Sequence, residues 1–559
     1  MSTEAPPTAS AVDHPPGRPT VSRVVRSPVV AALGSALVAT AVVLPPLPSD
    51  AHRLVRDFVA VPTPAAPESL LPATATSLRA WPLDAVSWAA AVVVPTGVQQ
   101  VAVLVLCLVG AGVGAGLLVA PVGRAAAAAA AWVAVWNPYV TERLLLGQVP
   151  TLLGYACLPW IVVVGRSRLP TGRRLPLLLL AAAPAALTPW GGVLAVVAAV
   201  VTEVSRPDRK ATRVALVATI GLGWCLPWLL PTVLAGGLHA DPDGAAAFAV
   251  ADDSSLGTWL SAAMGGGVWA TGAQPSSRSD PAALTGSLVL VGLAVAGVVV
   301  LATRRRPVAG ERWRGDAHRL TTGPLTAAVA ALALLGPASM AWWASGPGLD
   351  VVTELQQVPG MALLRDQHRM LAPAVLAQAV LAAFVVGWLA RLAGRVAAVT
   401  AVVVVIALAV ASVPDLRGLI RTAYRPVTYP AEWNAMVDSI SGSGGPPTAL
   451  SLPWQPLRRP VWAGDPAFLD PLPRAVHGTV LTSTTLSVRR DGSLVVVDDA
   501  PMDEVWASGE VSAESLRRHA VTHVVEWLGT PGALASSHDG WRLVHSGPHF
   551  RVWHVTPGG

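Results

Sequence analysis

The chain has 559 residues, of which 53% are hydrophobic and only 13% charged, with a mean hydropathy of +0.54. That is too apolar for a soluble globular protein and indicates a polytopic membrane protein. The net charge of +6 does not signal nucleic acid, because the arginines stand in short loops beside apolar runs, where they set orientation.

Residues 1–27 are rich in Pro, Ser, Thr and Ala and read as a disordered cytoplasmic tail. A bilayer-spanning helix needs about 20 apolar residues, and about eleven candidate runs follow on that criterion. They lie near 28–47, 95–120, 124–139, 149–165, 174–188, 190–204, 213–235, 282–302, 322–344, 371–390 and 396–413. Thr188-Pro189-Trp190 divides the pair at 174–204, which is either a broken hairpin or one kinked element. Arg18, Arg23 and Arg26 precede the first run. Arg124, Arg166 to Arg174, Arg206 to Arg213, Arg304 to Arg319, and Arg391 with Arg395 fill alternate loops. With all of these inside, the N-terminus is cytoplasmic and the C-terminus extracytoplasmic. Residues 28–413 thus read as a multi-span plasma-membrane domain with long external loops at 48–94, 236–281 and 345–370. Loops of that length are usually functional or disordered. Cys107, Cys157 and Cys225 fall inside apolar runs and read as packing thiols.

Residues 414–559 read as an extracytoplasmic domain of α+β or α/β type. Short β-rich runs are expected at Thr448–Trp454, Ser493–Asp498, His523–Trp527, Trp541–His545 and Phe550–Val555. Helices are expected at Ala431–Ile440 and at Ala513–His519 behind an Ser512 N-cap. Ser546-Gly547-Pro548-His549 suits the turn of a terminal hairpin.

The stretch Trp136 to Trp160, WNPYVTERLLLGQVPTLLGYACLPW, sets Asn137, Glu142, Arg143 and Gln148 between two apolar runs. Ionisable groups beside membrane segments are functional candidates by default. Glu142 and Arg143 suit contact with a donor phosphate or an acceptor; the structural reading is a pair closing a helical hairpin, with Asn137-Pro138 as its turn. Gln148 caps the next helix or lines the same cavity. In the first loop Asp57 is a candidate general base; the plainer reading is a solvated acid paired with Arg53 or Arg56. Asp84 is a weaker rival for that role, since Pro82-Leu83-Asp84 resembles a helix cap. Arg365 and Arg369 are spaced to share one helix face, and with Asp366 and His368 they suit phosphate binding; snorkelling arginines are the alternative. No metal site is assigned. Asp252-Asp253 offers carboxylates to a divalent cation, although adjacent acids in a Gly- and Ser-rich loop are usually just solvated.

Together these groups suit transfer from a lipid-linked phosphate donor to a hydroxyl acceptor. A carboxylate takes the acceptor proton while arginines neutralise the departing phosphate. The Trp136–Trp160 stretch resembles the W-N-P-[FY]-V-x-E-R-L-x-x-G-Q segment of actinobacterial GT-C-like membrane proteins, relatives of the arabinofuranosyl- and mannosyltransferases of cell-envelope assembly. Val55-Arg56-Asp57-Phe58-Val59-Ala60-Val61-Pro62 is similar to their first-loop D-x-V-x-V-P pattern, and Leu363-Leu364-Arg365-Asp366 to their late-loop L-L-R-D element. The resemblance implies a mainly α polytopic fold with a C-terminal extracytoplasmic domain, and a catalytic acid at Asp57. Phe58 follows that acid, so no D-D or D-x-D pair is present there. The implied activity is an integral membrane glycosyltransferase that moves a sugar from a polyprenyl-phosphate donor to a cell-envelope glycan or glycolipid on the outer face. Its partners would be the lipid bilayer, the lipid-linked sugar and the glycan acceptor. A lipid or polysaccharide transporter or flippase, and a non-catalytic envelope-assembly scaffold with the same fold, are the rival readings.

Overall fold

The structure is a computed structural model describing residues 21–46, 48, 51–67, 81–234, 241–303, 324–358, 361–441, 446–490, 493–498 and 504–555. Residues 1–20 of the expected 1–27 tail and the loop arginines Arg304 to Arg319 lie outside the described residues.

Apolar runs become helices, in the order α1 (Val21–Val43), α2 (Leu83–Ala91), α3 (Thr96–Val119), α4 (Arg124–Val135), α5 (Pro138–Leu145), α6 (Val149–Gly165), α7 (Thr171–Ala182), α8 (Pro189–Val204), α9 (Ala211–Leu234), α10 (Pro281–Thr303), α11 (Pro324–Trp343), α12 (Gly346–Gln356) and α13 (Ala372–Ser412). Helix α1 begins at Val21, inside the segment expected as tail. The mainly α membrane architecture is as expected. The expected count of about eleven spans is not reproduced by length and composition: among the described residues, five helical runs are long and apolar enough to cross a membrane. Pro28–Val43, Val149–Gly165 and Pro189–Val204 are apolar but shorter.

Two physical reasons account for the difference. Helices α4 and α7 have 12 residues each, and at 1.5 Å per residue they extend only about 18 Å of a hydrocarbon core about 30 Å thick. The expected runs at 371–390 and 396–413 join in α13, which bends at Gly394 (φ 78°). Between α7 and α8 the chain makes a helical hairpin. There Thr188 caps α8 by accepting the Gly191 N–H, and Pro189 occupies the first helical position.

Helix α4 is an alanine run, and Ala126, Ala127 and Ala129 to Ala131 are all fully buried. Small side chains let backbones approach closely, which is how membrane helices gain dispersion contact without a hydrophobic driving force. At Gly116 of α3, a Cβ would lie 2.5 Å from the Ala32 Cβ of α1 and 2.8 Å from the Ala127 carbonyl of α4, so the three-helix contact admits only glycine there.

Beyond α13 come α14 (Leu416–Ala423), α15 (Trp433–Ser441), α16 (Ala513–Arg518) and, among the described residues, nine strands: β1 (Thr448–Leu452), β2 (Leu457–Arg458), β3 (Phe468–Leu469), β4 (Thr479–Leu481), β5 (Leu486–Arg490), β6 (Ser493–Val497), β7 (His523–Trp527), β8 (Arg542–Ser546) and β9 (Phe550–His554). The main sheet has the order β4-β1-β7-β9-β8. Strand β1 runs parallel to β4 and β7, while β9 is antiparallel to β7 and β8. Ala449 and Val525 pack on one face with Trp433 and Met436 of α15, whereas Leu450 and Val524 pack on the other with Trp506 and Leu516. This alternation is the period-two pattern of a strand buried on both faces. The Ser512 cap forms as expected, accepting the Ser515 N–H.

The expected strand at Ser493–Asp498 forms but does not join the main sheet. As β6 it pairs with β5 in a separate hairpin. Its Val488 and Val497 are buried against Phe248 and Trp269 of the loop between α9 and α10.

The segment 51–61 joins the helical bundle to the region after 413. Leu54, Val59 and Val61 enter the core built by α15 and the main sheet, while Val55 and Phe58 enter the core of the helical bundle. Backbone hydrogen bonds join His52 to Val427, Arg56 to Ala467 and Leu469 to Arg56. The region after 413 therefore shares its core with residues 51–61 instead of closing on itself.

Candidate functional site

Residues 136–149 form a corner. Helix α4 ends at Val135, and Asn137 then caps α5: its Oδ1 accepts the Val140 N–H at 2.9 Å and its Nδ2 donates to the Val133 carbonyl at 2.9 Å. Pro138 follows at the first helical position, where its missing N–H costs nothing. The Asn-Pro turn expected from the sequence thus takes the form of a helix cap. Helix α5 is almost wholly buried, including Glu142 and Arg143, both 0% exposed.

Adjacent on the helix, these two charged groups serve separate networks. The Arg143 guanidinium forks onto Asp366: Nη1 donates to Oδ2 and Nη2 to Oδ1, each at 2.8 Å. Nη2 also donates to His368 Nδ1 at 2.8 Å, and Nη1 donates to Gln148 Oε1. Asp366 in turn pairs with Arg369 Nε at 2.8 Å. Burial pushes the Asp366 carboxyl up, but Arg143 and Arg369 outweigh it and hold the group well below the usual carboxylate range.

Glu142 faces the other way. Its Oε2 accepts the Val268 N–H at 2.9 Å and lies 3.2 Å from His368 Nε2. Burial first, then the nearby Asp253 carboxyl, push Glu142 well above the usual carboxylate range. Asp253 pairs with Arg278 at 2.8 Å, and both side chains are fully buried. The expectation that Asp252-Asp253 is a solvated pair therefore fails for Asp253. Asp252 turns back into its own loop, accepting the Gly257 N–H at 2.9 Å and the Ser261 hydroxyl at 2.9 Å.

Asp57 reaches this corner from the first loop. Val55 and Phe58 exchange backbone hydrogen bonds at 3.1 and 2.7 Å, closing a tight turn with Arg56 at φ 44° and Asp57 exposed at its tip. The turn seats on Gly147, which has φ +69°; a Cβ there would lie 2.0 Å from the Val55 carbonyl oxygen and 2.9 Å from the Asp57 nitrogen. Gln148 Nε2 then donates to Asp57 Oδ2 at 3.3 Å. Arg53, proposed as a partner for Asp57, is itself buried and donates to the carbonyls of Ala51 and Pro48.

The structure thus brings Asp57, Gln148, Arg143, Asp366, His368 and Arg369 into one connected set, with Glu142 joined through His368. Two candidates lie elsewhere. Asp84, in the first turn of α2, pairs with Arg474 at 3.1 Å. Arg365 stacks over the Phe248 ring at 4.7 Å. Arg365 and Arg369 do not share an α-helical face, because residues 361–371 form two 3₁₀ turns that meet at Arg365-Asp366. Gly147 and Arg278 are members of the site that sequence reasoning missed, and Asp253 was read only as a possible cation ligand or solvated acid. Gly147 stood inside the quoted G-Q motif, and its signal was a glycine between two helical runs. Arg278 carries no local pattern that marks it.

Comparison with known proteins gives the fold. No protein-family model and no curated protein matches the chain. Among solved structures, the cryo-EM structure of the arabinofuranosyltransferase AftD from Mycobacteria is similar, with a TM-score of 0.57 and 17% identity, covering 95% of this chain. The fold is GT-C-like. A mutant form of AftD, R1389S class 2, matches at TM-score 0.54 and 16% identity over 95% of the chain. A looser likeness, to the oligosaccharyltransferase of Archaeoglobus fulgidus, has TM-score 0.37 and 12% identity, covers 89% of this chain and 69% of that one, and adds nothing to the fold assignment. The GT-C-like chain spans about two fifths of AftD, covering 40% of it.

Proposed function

We propose that the chain is an integral membrane glycosyltransferase that moves a sugar from a polyprenyl-phosphate donor to a cell-envelope glycan or glycolipid on the outer face. The observation that carries this reading is the Asp57–Gln148–Arg143–Asp366–Arg369 network, whose members come from three distant segments of a GT-C-like fold. Asp57, exposed at the tip of its turn, is the general base that takes the acceptor hydroxyl proton. Arg369, 25% exposed beside Asp366, is the group best suited to meet the donor phosphate. Arg143, Glu142 and His368 are fully buried and act as the frame, and Asn137 fixes the helix that carries them. As sugar leaves phosphate, negative charge grows on the lipid phosphate, and a preorganised guanidinium stabilises it without reorganising.

The test is Asp57→Asn in membranes supplied with labelled polyprenyl-phospho-sugar. Loss of transfer with unchanged melting is expected; full turnover removes the proposed base. One observation favours the scaffold reading: Glu142, Asp253 and Asp366 are all committed to buried partners, leaving Asp57 as the exposed acid of the set. Wild-type protein that folds in membranes and transfers no sugar would select that reading.

A further inference from the structure

The frame under Asp57 has a definite hydrogen-bond direction. Arginine only donates, and its two terminal nitrogens carry four N–H bonds. At Arg143 all four are assigned: two to Asp366 at 2.8 Å each, one to His368 Nδ1 at 2.8 Å and one to Gln148. Two consequences follow from chemistry alone. His368 Nδ1 must accept, so the proton of the neutral ring sits on Nε2, facing Glu142 Oε2. The Gln148 atom facing Arg143 must be Oε1, so the amide NH2 is turned toward Asp57.

Gln148 stands at the N-cap position of α6, yet its side chain makes no capping hydrogen bond. It is 7% exposed and links a clamped guanidinium to an exposed carboxylate. We propose that Gln148 is a positioning residue for Asp57: Arg143, held by Asp366, fixes the Gln148 amide so that its N–H orients the carboxylate and favours its ionised form. This rests on the reading of Asp57 as the base. Ionisable groups coupled to Asp57 include Arg56, on the same turn, and Tyr424, just after α14. Both remain in the variants below.

The experiment measures Asp57 itself. The purified full chain in detergent is treated with a carbodiimide and an amine across pH 3–8. Because carbodiimides activate the protonated carboxyl, mass spectrometry of the Asp57 peptide reads its titration directly. Gln148→Met keeps the length and removes the donor, and the labelling midpoint is expected to rise by about 0.4–1 pH unit, the worth of one hydrogen bond. Gln148→Glu retains the oxygen that Arg143 requires, so it folds even if the methionine variant does not. It sets a negative charge beside Asp57 and raises the midpoint further. Under the proposed function, the acid limb of the transfer pH profile moves by the same amount. Midpoints equal to wild type in the variants that fold overturn the positioning role. Transfer by Asp57→Asn at the wild-type rate, with the labelling shift intact, instead removes Asp57 as base and leaves the orientation by Gln148 standing.

Discussion

Among the buried arginine–carboxylate pairs of the described residues, the forks Arg143–Asp366 and Arg174–Glu203 do different work. Arg143 grips Asp366 across 223 residues of sequence, and Arg174 grips Glu203 across 29, with Nη1 to Oε2 at 2.5 Å. Both pairs are sealed from solvent. The second fork closes on its own neighbourhood: Glu203 also holds Arg213 at 3.1 Å, and Arg206 donates to the Gly165 carbonyl at 2.7 Å. That set ties together the ends of α6, α7, α8 and α9. The first fork opens outward through Gln148 to Asp57 and through Asp366 to Arg369. A buried ion pair is weak evidence of function, since removing one partner is costly wherever the pair sits. What distinguishes a candidate site is a connection from the buried pair to an exposed titratable group.

The sharpest way to break the comparison is to set Asp57→Asn beside Glu203→Gln. Loss of the base is expected to lower transfer by roughly 10²–10⁴-fold with little change in melting temperature. Glu203→Gln is expected to cost about 3–5 kcal/mol of stability, by leaving the buried Arg174 without its counter-charge. Its transfer per folded molecule should match wild type. Equal loss of transfer in both variants would erase the distinction.

Arg143→Met combines both effects. It leaves the buried Asp366 with Arg369 as its remaining counter-charge, so a destabilisation smaller than the roughly 3–5 kcal/mol of an uncompensated buried charge is expected, together with lost transfer in the fraction that remains folded. Melting and transfer measured on one membrane preparation separate the two contributions. Gly147→Ala is milder for the bundle and acts on the junction. A methyl group 2.0 Å from the Val55 oxygen must lift the first-loop turn off the corner. Carbodiimide labelling of Asp57 should then lose its dependence on Gln148, and transfer should fall while the helices still form.

The smallest effect is one of pH. His52 accepts from or donates to Thr96 Oγ1 at 3.0 Å beneath the first loop, and burial, then Arg53, lower its pKa from 6.5 to about 4. The folded state therefore disfavours the charged ring. The contribution of His52 to stability is complete above about pH 6.5 and is lost as pH falls toward 4. At pH 5.5 the loss is about 1.4 kcal/mol. Melting of His52→Gln should show a correspondingly flatter acid slope; equal slopes would remove His52 from the account.

Much of the architecture was legible because hydropathy is local. Alternating apolar runs and arginine loops marked a helical membrane protein, and the strands at Thr448, His523 and Phe550 form where β-rich runs stand between turn signals. Span number was less legible, because an alanine run such as Arg124–Val135 is as apolar as a span yet packs inside protein as a helix of 12 residues. The strand at Ser493–Val497 formed as read but found its partner in a hairpin against the second loop, since pairing depends on what the other strands leave available.

By itself the sequence determined the element types, the cap at Ser512 and the short list that contained Asp57, Arg143, Gln148 and Asp366, because these rest on periodicity, capping chemistry and charge placed among apolar residues. Only the tertiary structure decided which of those charges meet. The adjacency of Glu142 and Arg143 suggested a shared ligand, but successive helical side chains point about 100° apart. They enter separate networks, and the bond that carries one of them to the surface depends on a loop that docks at Gly147 from ninety residues upstream.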